Sequence, residues 1–246
     1  MSYIKTNGII ISETNTGEAD KVVTIFTKSH GKIFAFAKNA RRYRGSIGVA
    51  AQFLCYGEYI LYKSRSAYTI SSCEVIEPFY ELRTDIEKLT YAAHMADVVN
   101  YVILEEQPSV RLLQLFLNTL YFLSKSRREP QLLCVIFELK LLSIIGYSPW
   151  IKSCISCEDS STDNFSFSFK ECGLLCPKCQ EKDFAAWQIL PDTVKALRYI
   201  VSSKIDNLFN FNVSPQVLNE LVRISKRYLR ERLDHEFTRL DFIKNL

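Results

Sequence analysis

Two hydrophobic periods divide the chain. Over the first 80 residues, short runs rich in Ile, Val, Phe, Tyr and Thr recur at 7–12, 21–28, 32–38, 53–63 and 67–76. Runs of this length and composition read as β-strands. Turn-formers stand between them: Asn15-Thr16-Gly17, Ser29-His30-Gly31 and Lys63-Ser64-Arg65-Ser66. The pattern predicts a small antiparallel barrel or sandwich, and five strands in this length fit an OB-type barrel, a common binder of oligonucleotides.

Pro78 marks the change of period. Over 84–104 the apolar residues Ile86, Leu89, Ala93, Ala96 and Ile103 recur at helical spacing, with Val99 or Asn100 between. Pro108-Ser109 ends that run, and a second helix is expected over 110–124. After Arg127-Arg128-Glu129-Pro130 a third helix covers 131–145, with Gly146 where a C-terminal cap belongs and Pro149 beyond. Helices resume at 191–204 and again at Ser214-Pro215, where serine suits the N-cap and proline the first helical position. Leu218, Leu221, Val222, Ser225 and Leu229 trace the buried stripe expected of that last helix.

Between the two helical stretches lies a different kind of segment. Cys154 and Cys157 form one CxxC pair, Cys176 and Cys179 another, with 18 residues between them. That spacing is expected of a four-cysteine zinc site. Four sulfurs complete the tetrahedron zinc prefers and leave no open position, so one structural Zn²⁺ is expected and metal catalysis is not. Cys172, four residues before Cys176, is an alternative ligand, although the tighter knuckle favours Cys176. Between the pairs Phe165, Phe167 and Phe169 alternate with serines, the mark of a short strand with one apolar face. Cys55, Cys73 and Cys134 sit in apolar runs and read as buried thiols.

The architecture expected is therefore α+β and multidomain. It has an N-terminal five-stranded OB-type β-barrel (1–80), an α-helical domain in two parts (81–149 and 183–246), and an inserted four-cysteine zinc-ribbon-like module (150–182). The richest apolar segment, 132–145, is interrupted by Glu138 and Lys140, and no run approaches the roughly 18 residues of a membrane span. The first residues lack the apolar stretch of a signal peptide, so a soluble cytoplasmic protein is expected.

Charge adds a direction. The net charge is +4, and residues 1–80 hold 10 Lys and Arg against 6 Asp and Glu, while the rest balances. A local positive field suits a polyanion. Its densest part is Lys38, Arg41, Arg42 and Arg44 around Tyr43, with Lys63 and Arg65 in a second basic turn. Guanidinium forks fit phosphate, and a tyrosine can stack on an unpaired base. Arg223, Arg227 and Arg230 share a face of the last helix, either a solvated surface or a contact for DNA or an acidic protein. His30, His94 and His235 are scattered, and no phosphate loop or GxGxxG is present, so no enzyme is expected.

One further pattern is specific. The stretch 137–149, ending Gly146-Tyr147-Ser148-Pro149, runs on into Cys154-Ile155-Ser156-Cys157. Near the N-terminus stand Thr16-Gly17-Glu18-Ala19-Asp20-Lys21, then Phe26-Thr27, His30-Gly31-Lys32 and the Ala40-Arg41-Arg42…Ser46 loop. Together these resemble the RecO proteins of bacterial DNA repair and recombination, over nearly the whole chain. The family often has Gly-Gly before the second cysteine pair, and Cys172 takes the first of those places.

The resemblance implies a recombination mediator that binds single- and double-stranded DNA and anneals complementary strands. It implies action with RecR, and in some pathways RecF, to help RecA load onto DNA coated by SSB, whose acidic C-terminal tail docks on the helical domain. Localisation would be cytoplasmic, nucleoid-associated during repair, with no membrane partner. The alternative reading is a zinc-containing protein-interaction scaffold in which the basic loop is incidental.

Overall fold

The computed structural model describes residues 2–42, 46–64 and 67–243. Two compact units emerge, Met1–Ser126 with Phe237–Leu246, and Arg127–Glu236.

In the first unit, β1 (Ser2–Thr16), β2 (Asp20–Thr27), β3 (Gly31–Ala37), β4 (Tyr56–Lys63) and β5 (Tyr68–Glu77) form one sheet. Each strand has two partners in the cyclic order β1-β2-β3-β5-β4, so the sheet closes on itself. All pairings are antiparallel except the short β3–β5 contact, where Ala35 faces Tyr68 and Phe36 faces Thr69. β1 starts earlier and ends later than its apolar run, because it pairs with β4 over Ser2–Ile9 and with β2 over Gly8–Thr16. A register shift between Ile10 and Ser12 accompanies the passage from one partner to the other. The interior is filled by Ile10, Val23, Ile25, Ile33, Ala35, Tyr59 and Leu61. Tyr59 donates its buried hydroxyl to the carbonyls of Ala50 (2.8 Å) and Cys55 (3.1 Å), which ties down the short helix α1 (Ser46–Ala50) and the turn after it. Cys55 is buried as expected, and Cys73 is half-buried.

Helices α2 (Tyr80–Arg83), α3 (Ile86–Val102) and α4 (Val110–Lys125) complete this unit. Asp85 caps α3 by accepting from the Lys88 amide at 3.1 Å. Nearly every position of α3 from Thr90 to Val99 is buried, so it is a central helix rather than one with a single apolar stripe. Ile86, expected on the buried face, is 59% exposed in its first turn. Gly31 fixes where α3 hands the chain back to the sheet. At φ +64°, a Cβ there would lie 2.5 Å from the Leu104 carbonyl oxygen and 2.6 Å from that of Gln107.

The second unit centres on α5 (Pro130–Ile144), packed against α6 (Pro191–Ser202) and α7 (Pro215–Leu233). The two charges that interrupt its apolar run are both buried and both partnered. Lys140 Nζ donates to the Val201 and Ser203 carbonyls at 2.7 and 2.6 Å, closing the C-terminus of α6. Glu138 accepts from Ser225 Oγ at 2.5 Å, which explains a serine on the apolar stripe of α7. That stripe contains Val217, Leu218, Leu221, Ile224, Ser225, Tyr228 and Leu229. Val222, expected there, is only half-buried, and Ile224 takes its place. Gly146 (φ +100°) ends α5, with the Tyr147 amide returning to the Leu142 carbonyl at 2.8 Å. No described helix is long and apolar enough to cross a membrane.

Candidate nucleic-acid face and candidate metal centre

The cations singled out in the N-terminal part gather in the turn that follows β3. Lys38, Arg41 and Arg42 are exposed there. The turn is built, not loose. Asn39 adopts φ +56° and its amide donates to Asp20 Oδ1 at 2.7 Å. The Arg41 amide donates to the Ala19 carbonyl at 3.0 Å, and its Nη1 to the Glu18 carbonyl at 3.2 Å. Arg41 therefore staples this turn to the β1–β2 hairpin as well as presenting charge. Tyr43, Arg44 and Arg65 lie outside the described residues.

Lys63 closes β4, opposite Tyr68 of β5. Its ammonium stands 5.2 Å over the Tyr68 ring and 3.8 Å from Glu106 Oε1. Both partners of that ion pair are well exposed, at 45% and 82%, so the pair is worth little and Lys63 is exchangeable. Lys63 also borders a groove of about 480 Å³ that Phe34, Phe36 and Tyr68 line. Phe34 and Phe36 were not distinguished in the sequence from their inward neighbours. They are 48% and 41% exposed, whereas Ile33, Ala35 and Ala37 fill the interior.

In the second unit the cysteines of the two CxxC pairs converge. The sulfurs of Cys154, Cys157, Cys176 and Cys179 all lie within 4.8 Å of one another, with Cys157 and Cys176 at 3.6 Å. A short strand and a turn bring them there. β7 (Gly173–Leu175) runs straight into Cys176, and the Ile155 amide donates to the Leu174 carbonyl at 2.8 Å, locking one knuckle to the other. Gly173 allows this, since a Cβ would meet the Trp150 carbonyl oxygen at 2.6 Å. Burial pushes the Cys154 thiol up, but the amides of Cys176, Cys157 and Ser156 outweigh it and bring it down to about 6. At Cys157 the Asp159 amide favours the thiolate, yet the crowding sulfurs of Cys179, Cys154 and Cys176 push it up to about 12. Four thiols packed this closely cannot all ionise without a cation, and such a donor set fits a metal ion.

Cys172 stands apart from this group. It sits in a left-handed turn (φ +59°) and its sulfur accepts from Arg232 Nη1 at 2.8 Å. β6 (Ser166–Ser168) pairs with β7 and with β8 (Trp187–Gln188). It was expected to have one apolar face, but Ser166 and Ser168 are buried along with the phenylalanines. Ser168 Oγ donates to Asp183 Oδ2 at 2.6 Å, so its polar side is satisfied internally. Two of the three arginines on the basic face of α7 are likewise committed, and the third, Arg230, is exposed. Arg223 lies 4.7 Å over the Trp187 ring, and Arg227 lies 4.0 Å over Phe169 while bonding Glu231 at 2.7 Å. Arg223 and Arg227 thus clamp the cysteine segment to its helix, neither a purely solvated face nor a free cation patch.

A small closed sheet with an ordered cationic turn, joined to helices that carry a four-thiol knuckle pair, defines an α+β protein. The family described as "Recombination protein O N terminal" matches residues 1–79, and "Recombination protein O C terminal" matches residues 83–241. A protein named DNA repair protein RecO from Acetivibrio thermocellus is 55% identical over 246 residues, covering 100% of this chain and 98% of its own. Namesakes from Alkaliphilus metalliredigens and Caldicellulosiruptor saccharolyticus are 35% and 33% identical, each over 99% of both chains. The chain belongs to the RecO family of DNA repair proteins.

Proposed function

We propose that the chain is a DNA-binding recombination mediator. It binds single- and double-stranded DNA through the N-terminal sheet and anneals complementary strands. With RecR, and in some pathways RecF, it helps RecA load onto SSB-coated DNA, reaching that DNA in part through the SSB C-terminal tail. The work is assigned by segment, with 1–80 as an OB-type DNA-binding barrel, 150–182 as a zinc module and the helices of 81–149 and 183–246 as the frame. The OB-type reading is supported by the closed five-strand order with α1 between β3 and β4. The protein works in the cytoplasm, at the nucleoid during repair.

The observation that carries the reading is the ordered turn of exposed Lys38, Arg41 and Arg42 on a closed sheet. Fixed cations neutralise phosphates without being ordered at the moment of binding, and neutralising two strands lowers the repulsion between them. Tyr43, Arg44, Lys63 and Arg65 are assigned to DNA binding in this reading as well. Each phosphate contact to a single strand contributes about 0.7 to the slope of log affinity against log salt. Changing Arg41, Arg42 and Arg44 together to Ala should therefore flatten the slope by about 2, read by anisotropy of a labelled single strand. An unchanged slope removes the turn from the mechanism. Absence of binding by the wild-type chain at about 50 mM salt, where phosphate contacts are strong, would favour the interaction scaffold instead.

We read the four-thiol cluster as a structural zinc site held by Cys154, Cys157, Cys176 and Cys179. Zinc–sulfur bonds of about 2.3 Å give a tetrahedron with edges of about 3.8 Å, close to the sulfur separation observed. Zinc would supply no reaction step here. It would balance the thiolate charge and tie the two knuckles together.

A further inference from the structure

Strand β3 carries an alternation that the basic turn does not explain. Lys32, Phe34, Phe36 and Lys38 share the outer face, while Ile33, Ala35 and Ala37 point into the sheet's interior. Residues two apart on a strand recur every ~6.6 Å. Two exposed phenyl rings at that repeat, on a rigid closed sheet, are unusual for a surface that faces only water. Val22 stands beside Phe36 and Thr24 beside Phe34 on β2, so no bulky cross-strand neighbour covers either ring.

We infer that Phe34 and Phe36 form a stacking platform for the bases of a single nucleic-acid strand, whose phosphates Lys38 and Lys63 hold. The inference rests on the DNA-binding reading above and adds to it the residues that take the bases. A single strand is the occupant because its unpaired bases present free π-faces, whereas duplex bases are stacked on each other. Charge sets the polarity of the track. Glu105 lines the same groove beside Lys32, and the Lys32 ammonium already donates to the Asn100 carbonyl at 2.7 Å. A phosphate chain is thus repelled at that end and drawn towards Lys38 and the turn beyond it. Lys63 can leave its exposed contact with Glu106 for a phosphate while its ammonium stays over the Tyr68 ring.

The test uses the full chain, a fluorescein-labelled oligothymidylate and the same length of labelled duplex, by anisotropy over a salt series. Phe34→Leu with Phe36→Leu keeps apolar bulk and removes the π-face. It should weaken oligothymidylate binding at least about tenfold, leave the salt slope and duplex affinity unchanged, and be rescued by Phe34→Tyr with Phe36→Tyr. In a separate Phe34→Trp variant, oligothymidylate should quench emission beyond any quenching in the wild type. Wild-type affinity in the folded Leu pair overturns the platform while the DNA-binding reading stands. So does an equal loss for duplex, or a change in self-association by sedimentation with DNA affinity retained, which would assign the rings to a second copy of the chain. If the Leu pair does not fold, the Phe34→Trp signal decides, and no quenching overturns the proposal. A wild-type chain that binds neither oligonucleotide sinks the DNA-binding reading itself, and the platform with it.

Discussion

Gly17 and Gly31 hold the same kind of backbone and differ in what surrounds them. Both lie in the left-handed region, at φ +54° and +64°. An alanine in that region costs about 1–2 kcal/mol, less the roughly 0.4–1 kcal/mol gained by stiffening the unfolded chain. Gly17→Ala should therefore cost about 1 kcal/mol or less, because nothing lies within 4 Å of its Cβ position. Gly31→Ala carries the same term plus a collision, with carbonyl oxygens at 2.5 and 2.6 Å where ordinary contact begins near 3.4 Å. Those oxygens belong to backbone that must shift, and overpacking of this kind adds about 1–3 kcal/mol. The two substitutions should thus differ by at least about 1 kcal/mol. Both tryptophans, Trp150 and Trp187, belong to the second unit, so their emission is the wrong probe. Urea unfolding by far-ultraviolet circular dichroism, with hydrogen exchange of the Ile25 and Ile33 amides, reads the first unit. Equal costs within about 0.5 kcal/mol would refute the claim that the Leu104–Gln107 backbone closes on β3 at Gly31.

Two further outcomes follow from buried groups. Ser225→Ala removes the donor to Glu138 and should cost about 1–3 kcal/mol in urea unfolding, but much less in a Glu138→Leu background; equal costs in both backgrounds would show that the two are uncoupled. Burial pushes the Cys73 thiol up to about 12 and raises Cys55 as well, so folding keeps both neutral. Their contribution is complete below the ordinary thiol value and is lost as pH rises through that value towards 12, so the first unit should weaken over that alkaline window and less steeply in Cys73→Ala. A urea midpoint that stays level there contradicts the buried placement.

Periodicity revealed elements well and facing poorly. The strand over 32–38 was legible, but alternation of Phe with Ala does not say which set turns inward. A closed sheet of five strands has a narrow interior already holding Tyr59 and Leu61, so alanines fit there and phenylalanines are displaced outward. The helical face of Arg223 and Arg227 was legible too. Its partners, Trp187 and Phe169, come from another element, and no local pattern announces a cation–π clamp. α1 is not legible in the sequence because Gly45 before it and Gly48 within it argue against a helix, and it persists through the Tyr59 bond to Ala50. The CxxC spacing was the most informative local signal, since two knuckles constrain four positions at once. Cys172 was ambiguous in sequence; in the structure it sits in a left-handed turn with its sulfur bonded to Arg232, a partner no local pattern announces.

The cysteine segment has little else to hold it. β6 and β7 contribute three residues each and β8 two, a ladder too small to stand on its own backbone bonds. Its phenylalanines are spent on docking, Phe167 against Tyr228 at 5.6 Å and Phe169 under Arg227, and not on an independent core. On the zinc reading proposed above, closure of the knuckles would come chiefly from the metal, whose apparent contribution in small four-ligand peptides is about 10–16 kcal/mol near neutral pH. Elemental analysis should find one zinc per chain. Stripping it with a strong chelator, or Cys157→Ser, should remove hydrogen-exchange protection over 150–182 and change the emission of Trp150 and Trp187. The cationic turn and β3 lie wholly in the first unit, so affinity for a single strand should stay within about twofold. A segment that keeps its protection with all metal removed would show that the thiols are packed rather than ligating. A parallel collapse of single-strand affinity would show instead that the DNA-binding surface extends into the second unit, where Lys226 and Arg230 of α7 are exposed while Arg223 and Arg227 lie over aromatic rings.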